Sequence, residues 1–175
     1  NSWQMDIDIL EDFLESKCKI GISKELIHKE TNRKISAIII VHLQGNVCDM
    51  DRLISLCNHY NLPILEDAAE ALGAKYKGQY AGTLGDIGCF SFNGNKIMST
   101  GGGGMIVSHN SEHLKRAKHL TTTAKRDGLT YFHDEVGYNY RLVNVLAALG
   151  VAQLEQLDGF IASKLDTASY YRDNL

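Results

Sequence analysis

From Asp6 to Lys17 the apolar residues Ile7, Leu10, Phe13 and Leu14 recur at three- and four-residue intervals between acidic ones, and Asp6 can cap the start. That period predicts an amphipathic helix. Cys18 to Ser36 is polar, lysine-rich and weakly periodic. It reads as a solvated connection, with a short helix around Lys24–His28. Ala37 to Val41 is a continuous run rich in β-branched residues, which suits a strand buried on both faces. Asp49 to Tyr60 follows with Met50, Leu53, Ile54 and Cys57 on one helical side, and Leu62-Pro63-Ile64-Leu65 restarts a strand. Strand, helix and strand with short connections make a βαβ unit, so the sheet is expected to be parallel there. Functional groups then belong at the carboxyl ends of the strands, which places His42 to Asn46 and Glu66-Asp67 in view.

Gly73 to Val107 is punctuated by glycine, with Ile87–Phe92 and Met105–Val107 as apolar strands. Between them lie Asn93-Gly94-Asn95-Lys96 and the run Gly101–Gly104, which reads as a turn. No Gly-Lys-Ser/Thr closes that run as a phosphate loop would require. Helical patterns return from Ser111 to Thr122 and from Val143 to the end.

Composition narrows the function classes. The 175 residues are 44% hydrophobic and 22% charged, with 18 Lys+Arg against 21 Asp+Glu. There is no basic excess for nucleic acid and no apolar run of membrane-spanning length. The expectation is a cytoplasmic protein with neither nucleic-acid nor membrane partners. Cys18, Cys48, Cys57 and Cys89 show no metal-ligand spacing and read as reduced, buried thiols, so no metal site is expected. A single proline, 16 glycines and a start at Asn1-Ser2-Trp3 suggest a piece of something longer.

Two residues carry the candidate chemistry. Asp67 sits where a strand is expected to run into a helix, and as an isolated carboxylate it reads as a helix cap. Lys96 lies in a loop of glycines and asparagines. Together they are what pyridoxal phosphate chemistry demands: an amine for a Schiff base and an anion for a pyridinium nitrogen.

The chain resembles the DegT/DnrJ/EryC1/StrS sugar aminotransferases. The resemblance rests on Glu66-Asp67-Ala68-Ala69-Glu70-Ala71-Leu72-Gly73, Gly85-Asp86-Ile87-Gly88-Cys89-Phe90-Ser91-Phe92, Asn93-Gly94-Asn95-Lys96 and Gly101–Met105. Gly45-Asn46 with Asp49-Met50, Gly137–Leu142, Ala147–Gly150 and Ala152–Glu155 add to it in the same order. The wording around Lys96 looks most like the branch acting on UDP-linked 4-keto-6-deoxy-N-acetyl sugars of bacillosamine or legionaminic acid pathways. The resemblance implies an α/β fold: part of the large, cofactor-binding domain of the fold type I transferases, with a mostly parallel sheet sandwiched by helices. Residues 1–175 would be a partial domain, lacking an N-terminal segment that cradles the cofactor phosphate and a C-terminal small domain.

The same resemblance implies roles. Lys96 would bind pyridoxal 5'-phosphate and carry the proton. Asp67 would pair with the ring nitrogen, Ala69 lie against the ring and Ser91 bond the phosphate. Asn139 would reach the phosphate from the neighbouring subunit, implying a homodimer. Asn93 and Asn95 would contact the sugar, or form a turn. Glu70 is unsettled: beside a phenolate it must be protonated or turned toward a sugar hydroxyl or amide. Apart from the resemblance, His133, Asp134 and Arg141 have the chemistry to bind substrate phosphates or carboxylates, or equally to lie at an interface. The implied reaction moves an amino group from glutamate, through pyridoxamine phosphate, to the C4 ketone of a nucleotide-linked sugar. The alternatives are a sugar dehydratase, in which relatives replace the lysine by histidine, and a non-catalytic fragment or relative.

Overall fold

The structure, a computed structural model, describes residues 3–175; Asn1 and Ser2 of the expected domain lie outside them. Helix α1 (Ile7–Lys17) begins where Asp6 accepts the amides of Asp8 and Ile9, and it buries Ile7 and Leu14. Strands β1 (Cys18–Ile20), β2 (Leu26–His28) and β3 (Lys34–Ile35) form an antiparallel sheet. The expected solvated connection with a short helix is therefore corrected to two hairpins. Strands of two or three residues are too short to print a period. Their turns use the left-handed backbones of Lys24 and Asn32.

Strand β4 (Ile38–Val41), helix α2 (Met50–His59) and strand β5 (Ile64–Asp67) make the expected βαβ unit, with β4 and β5 parallel. Asp49 caps α2 by accepting the Arg52 amide. Ile38, Ile40 and Ile64 pack on Met50, Leu53, Leu56 and Cys57, with Ile7 and Leu14 of α1 in the same core. The expectation that the β4 run is buried on both faces fails: Ile39 and Val41 are 59% and 45% exposed. The α2 helix covers one face, and an unbroken apolar run does not say how many faces are covered.

Residues 68–74 turn rather than form the helix expected after Asp67. Ala68 and Ala71 are drawn into a small cluster with Ala81 and Phe90, and that packing outweighs alanine's helix propensity. A hairpin of β6 (Lys75–Tyr76) and β7 (Gln79–Tyr80) follows. Strand β8 (Ile87–Ser91) then joins β5 in parallel, and β9 (Gly104–Val107) joins β8 antiparallel. The main sheet thus runs β4-β5-β8-β9 and is mostly parallel, within a mixed α/β fold. Helices α3 (Ser111–Thr121), α4 (Asn144–Leu154) and α5 (Leu157–Asn174) complete the chain. Among the described residues no single helix is long and apolar enough to cross a membrane.

Candidate functional site

Register across the sheet separates two carboxylates. Val41, Asp67 and Cys89 stand in one row, and Ile40, Glu66 and Gly88 in the next. Side chains alternate faces along a strand, so Glu66 enters the covered face while Asp67 stays on the other. Glu66 is 1% exposed. It accepts the amides of Gly82, Leu84 and Gly85 at 2.5–2.7 Å, and His42 Nε2 donates to it at 2.8 Å. Burial alone would raise its pKa, but these four donors outweigh that and hold it below the usual value. Gly88 makes the arrangement possible, because a Cβ there would meet the Gly82 carbonyl oxygen at 1.9 Å. Glu66 thereby ties the end of β4 and the turn before β8 to β5.

Asp67 ends β5 half-buried, and its Oδ1 accepts the Ala69 amide at 3.1 Å. Among the described residues nothing bonds its Oδ2. Beyond it lies a cavity of about 230 Å³ lined by Gln44, Ala69, Glu70, Leu72, Ser91, Asn95, Lys96 and Ile97. Five of the expected residues therefore share one cavity: Ala69, Glu70, Ser91, Asn95 and Lys96. Asn93 donates from Nδ2 to Asn95 Oδ1 at 3.0 Å, which joins it to the rim. Asp67 is at the adjacent strand end, outside the lining.

The Lys96 side chain is 17% exposed, and its Nζ lies 3.5 Å from Glu70 Oε1. Glu70 Oε2 accepts the Gln44 amide at 2.7 Å. That amide, chiefly, with the Lys96 charge, holds the Glu70 carboxyl below its usual range. The Glu70 carboxyl is thus turned to the Gln44 amide and to Lys96. Gln44 was not singled out individually. Its signal was its place in the His42–Asn46 stretch after a parallel strand.

The loop bearing Lys96 is held from both ends. The Lys96 amide donates to Asn93 O and the Thr100 amide to Phe92 O. From α4, Gln153 Oε1 accepts the Ser99 amide at 2.8 Å, and Gly150 packs so close to buried Thr100 that a Cβ would stand 3.1 Å from its methyl.

Asn139 is not in this cavity. It lines a separate one with Cys89, Phe90, Met105 and Arg141, and bridges to Thr122. His133 Nδ1 donates to Thr123 O at 2.6 Å, and His119 Nε2 donates to Asp134 Oδ1 at 2.7 Å. Glu135 completes a group of possible metal ligands with His119 and Asp134, but both of its oxygens already pair with Arg116.

The cavity lining fits a flat anionic cofactor in its chemistry, with a reachable amine, a small side chain at Ala69 and a hydroxyl at Ser91, and at the adjacent strand end Asp67 has one carboxylate oxygen unbonded among the described residues. The comparisons agree in kind. The model of the DegT/DnrJ/EryC1/StrS aminotransferase family matches residues 13–175. A GDP-perosamine synthase of Escherichia coli O157:H7 is 41% identical over 99% of this chain and 43% of its own length. A UDP-4-amino-4,6-dideoxy-N-acetyl-beta-L-altrosamine transaminase of Campylobacter jejuni is 38% identical over 78% of this chain and 37% of its own. A putative sugar aminotransferase from Streptococcus pneumoniae, solved in its PLP form, superposes with a TM-score of 0.79 at 26% identity, covering 99% of this chain and 45% of that one. The chain spans less than half the length of each.

Proposed function

The chain belongs to the DegT/DnrJ/EryC1/StrS aminotransferase family, and from that membership we propose that the full-length protein is a pyridoxal-phosphate-dependent aminotransferase. It takes an amino group from glutamate and delivers it to the C4 ketone of a nucleotide-linked 4-keto-6-deoxy sugar. Relatives named for GDP- and for UDP-linked sugars match it, so the nucleotide is left to the assay. The observation that carries the reading is Lys96, its amine in a cavity shared with Ala69, Ser91 and Asn95, with Asp67 at the adjacent strand end.

Pyridoxal phosphate, when bound, supplies an electron sink for the charge that develops on the substrate carbon. The protein's residues supply the rest. Lys96 Nζ holds the cofactor and moves the proton at the reacting carbon. Asp67 Oδ2 keeps the ring nitrogen protonated, because a nearby anion favours the charged form. Ala69 leaves room for the ring where a larger side chain would displace it. The Ser91 hydroxyl donates to the phosphate. Asn93 and Asn95 orient the sugar at the rim. Asn139, lying away from this cavity, reaches the phosphate of a partner subunit in a homodimer. The chain is then part of the cofactor-binding large domain.

The test is the absorbance spectrum of the full-length protein with pyridoxal phosphate, before and after borohydride reduction, followed by peptide mapping. The expected result is a reducible visible band and label fixed on Lys96. Lys96→Ala then loses at least the roughly 10²–10⁴-fold contributed by positioned proton transfer, with unchanged far-ultraviolet dichroism. Label on another lysine, or none, overturns the reading.

A further inference from the structure

Glu70 Oε2 holds the Gln44 amide at 2.7 Å, and Gln44 sits in the left-handed region at φ 55 and ψ 26. That conformation is strained for a residue with a Cβ. A hydrogen bond to a charged acceptor is of the size to offset it. The next residue, Gly45, has φ 78, and a Cβ there would approach the Glu70 carbonyl oxygen to 3.1 Å. One carboxylate therefore latches the turn after β4 to the turn after β5. With Oε2 committed, Oε1 is left facing Lys96 Nζ at 3.5 Å. The other lining residues of the cavity, Gln44, Ala69, Leu72, Ser91, Asn95 and Ile97, carry no charge. Asp67, at the adjacent strand end, is turned to the Ala69 amide.

We propose that Glu70 is the counter-ion that keeps the Lys96 ammonium poised at the cavity in the resting states in which the amine is neither bonded to cofactor nor taking up the substrate's proton. This rests on the role given to Lys96 above. Between the two halves of the reaction the lysine then keeps its proton and its place, and Gln44 fixes the carboxylate that holds it. No covalent change occurs at Glu70.

Glu70→Gln tests this with little disturbance, since the amide oxygen can still accept from Gln44 and only the charge is lost. The full-length protein is freed of cofactor and treated at neutral pH with trinitrobenzenesulfonate, which reacts with unprotonated amines, and labelling of Lys96 is followed by peptide mapping. An exposed-edge pair of this kind predicts labelling roughly two- to fivefold faster in the variant. A second measurement needs no variant: added salt speeds Lys96 labelling in the native protein, because it screens the pair, and leaves the variant unchanged. Equal labelling rates, or a native rate indifferent to salt, overturn the proposal. Failure of borohydride to fix cofactor on Lys96 would instead overturn the functional reading, and the labelling rates would still report on the pair.

Discussion

Glu66 and Asp67 are adjacent in the chain and opposite in circumstance. One is buried under four hydrogen bonds; the other has one oxygen with no partner among the described residues. Removing the buried one strands His42 and three amides, so Glu66→Ala is expected to cost about 3–5 kcal/mol in urea unfolding. A cost below about 1 kcal/mol would show that the network forms weakly in solution. The pH dependence has a definite sign. The folded-state pKa of Glu66 lies below the usual 4.5, so its contribution is fully present above that value. It is lost as pH falls through 4.5 toward the folded value. Acid unfolding of Glu66→Gln should be correspondingly less steep over that interval. At this scale the sequence was informative where chemistry is scarce: Lys96 stood out by residue type in its loop, Ala69, Ser91 and Asn95 were reached only through the family resemblance, and the four share a cavity. The burial of Glu66 and the orientation of Glu70 were not legible, because both depend on partners more than ten residues away whose register a linear pattern does not contain.

Helices α1, α2 and α3 and strands β4, β5, β8 and β9 were legible within a few residues, since each is long enough to show a period or an apolar run. The hairpins β1–β3 and β6–β7 were not, being two or three residues per strand. The segment after Asp67 misled because alanine signals helix locally while tertiary packing decides. The contact between α4 and the lysine loop was equally hidden. Gln153 belonged to a recognised motif, but its task is visible only once Ser99, far away in the chain, is seen to donate to it. Gln153→Ala leaves that amide unmet, at about 1–3 kcal/mol. If the loop shifts, turnover of the full-length protein falls by up to about 10²-fold. Gln153→Glu keeps an acceptor oxygen and should recover most of the loss. If Glu rescues stability without turnover, Gln153 is structural only and does not position Lys96.

For the whole molecule the main sheet is covered unequally. Ile39 and Val41 are exposed while Ile38 and Ile40 are buried. An apolar β surface of this kind attracts apolar partners, so the 175-residue chain is expected to bind anilinonaphthalene sulfonate. Ile39→Thr with Val41→Thr should reduce that fluorescence while changing stability by less than about 1 kcal/mol. A loss of several kcal/mol would mean that this face is packed. The order of the main sheet, β4-β5-β8-β9, is also the order of the chain. Each strand can therefore dock onto one already made as the polypeptide leaves the ribosome, with no earlier edge held open for a later arrival. Strands β4, β5 and β8 all precede Lys96 and β9 follows it, so the strand end that bears Asp67 is made before the amine and the sheet's last strand is added after both.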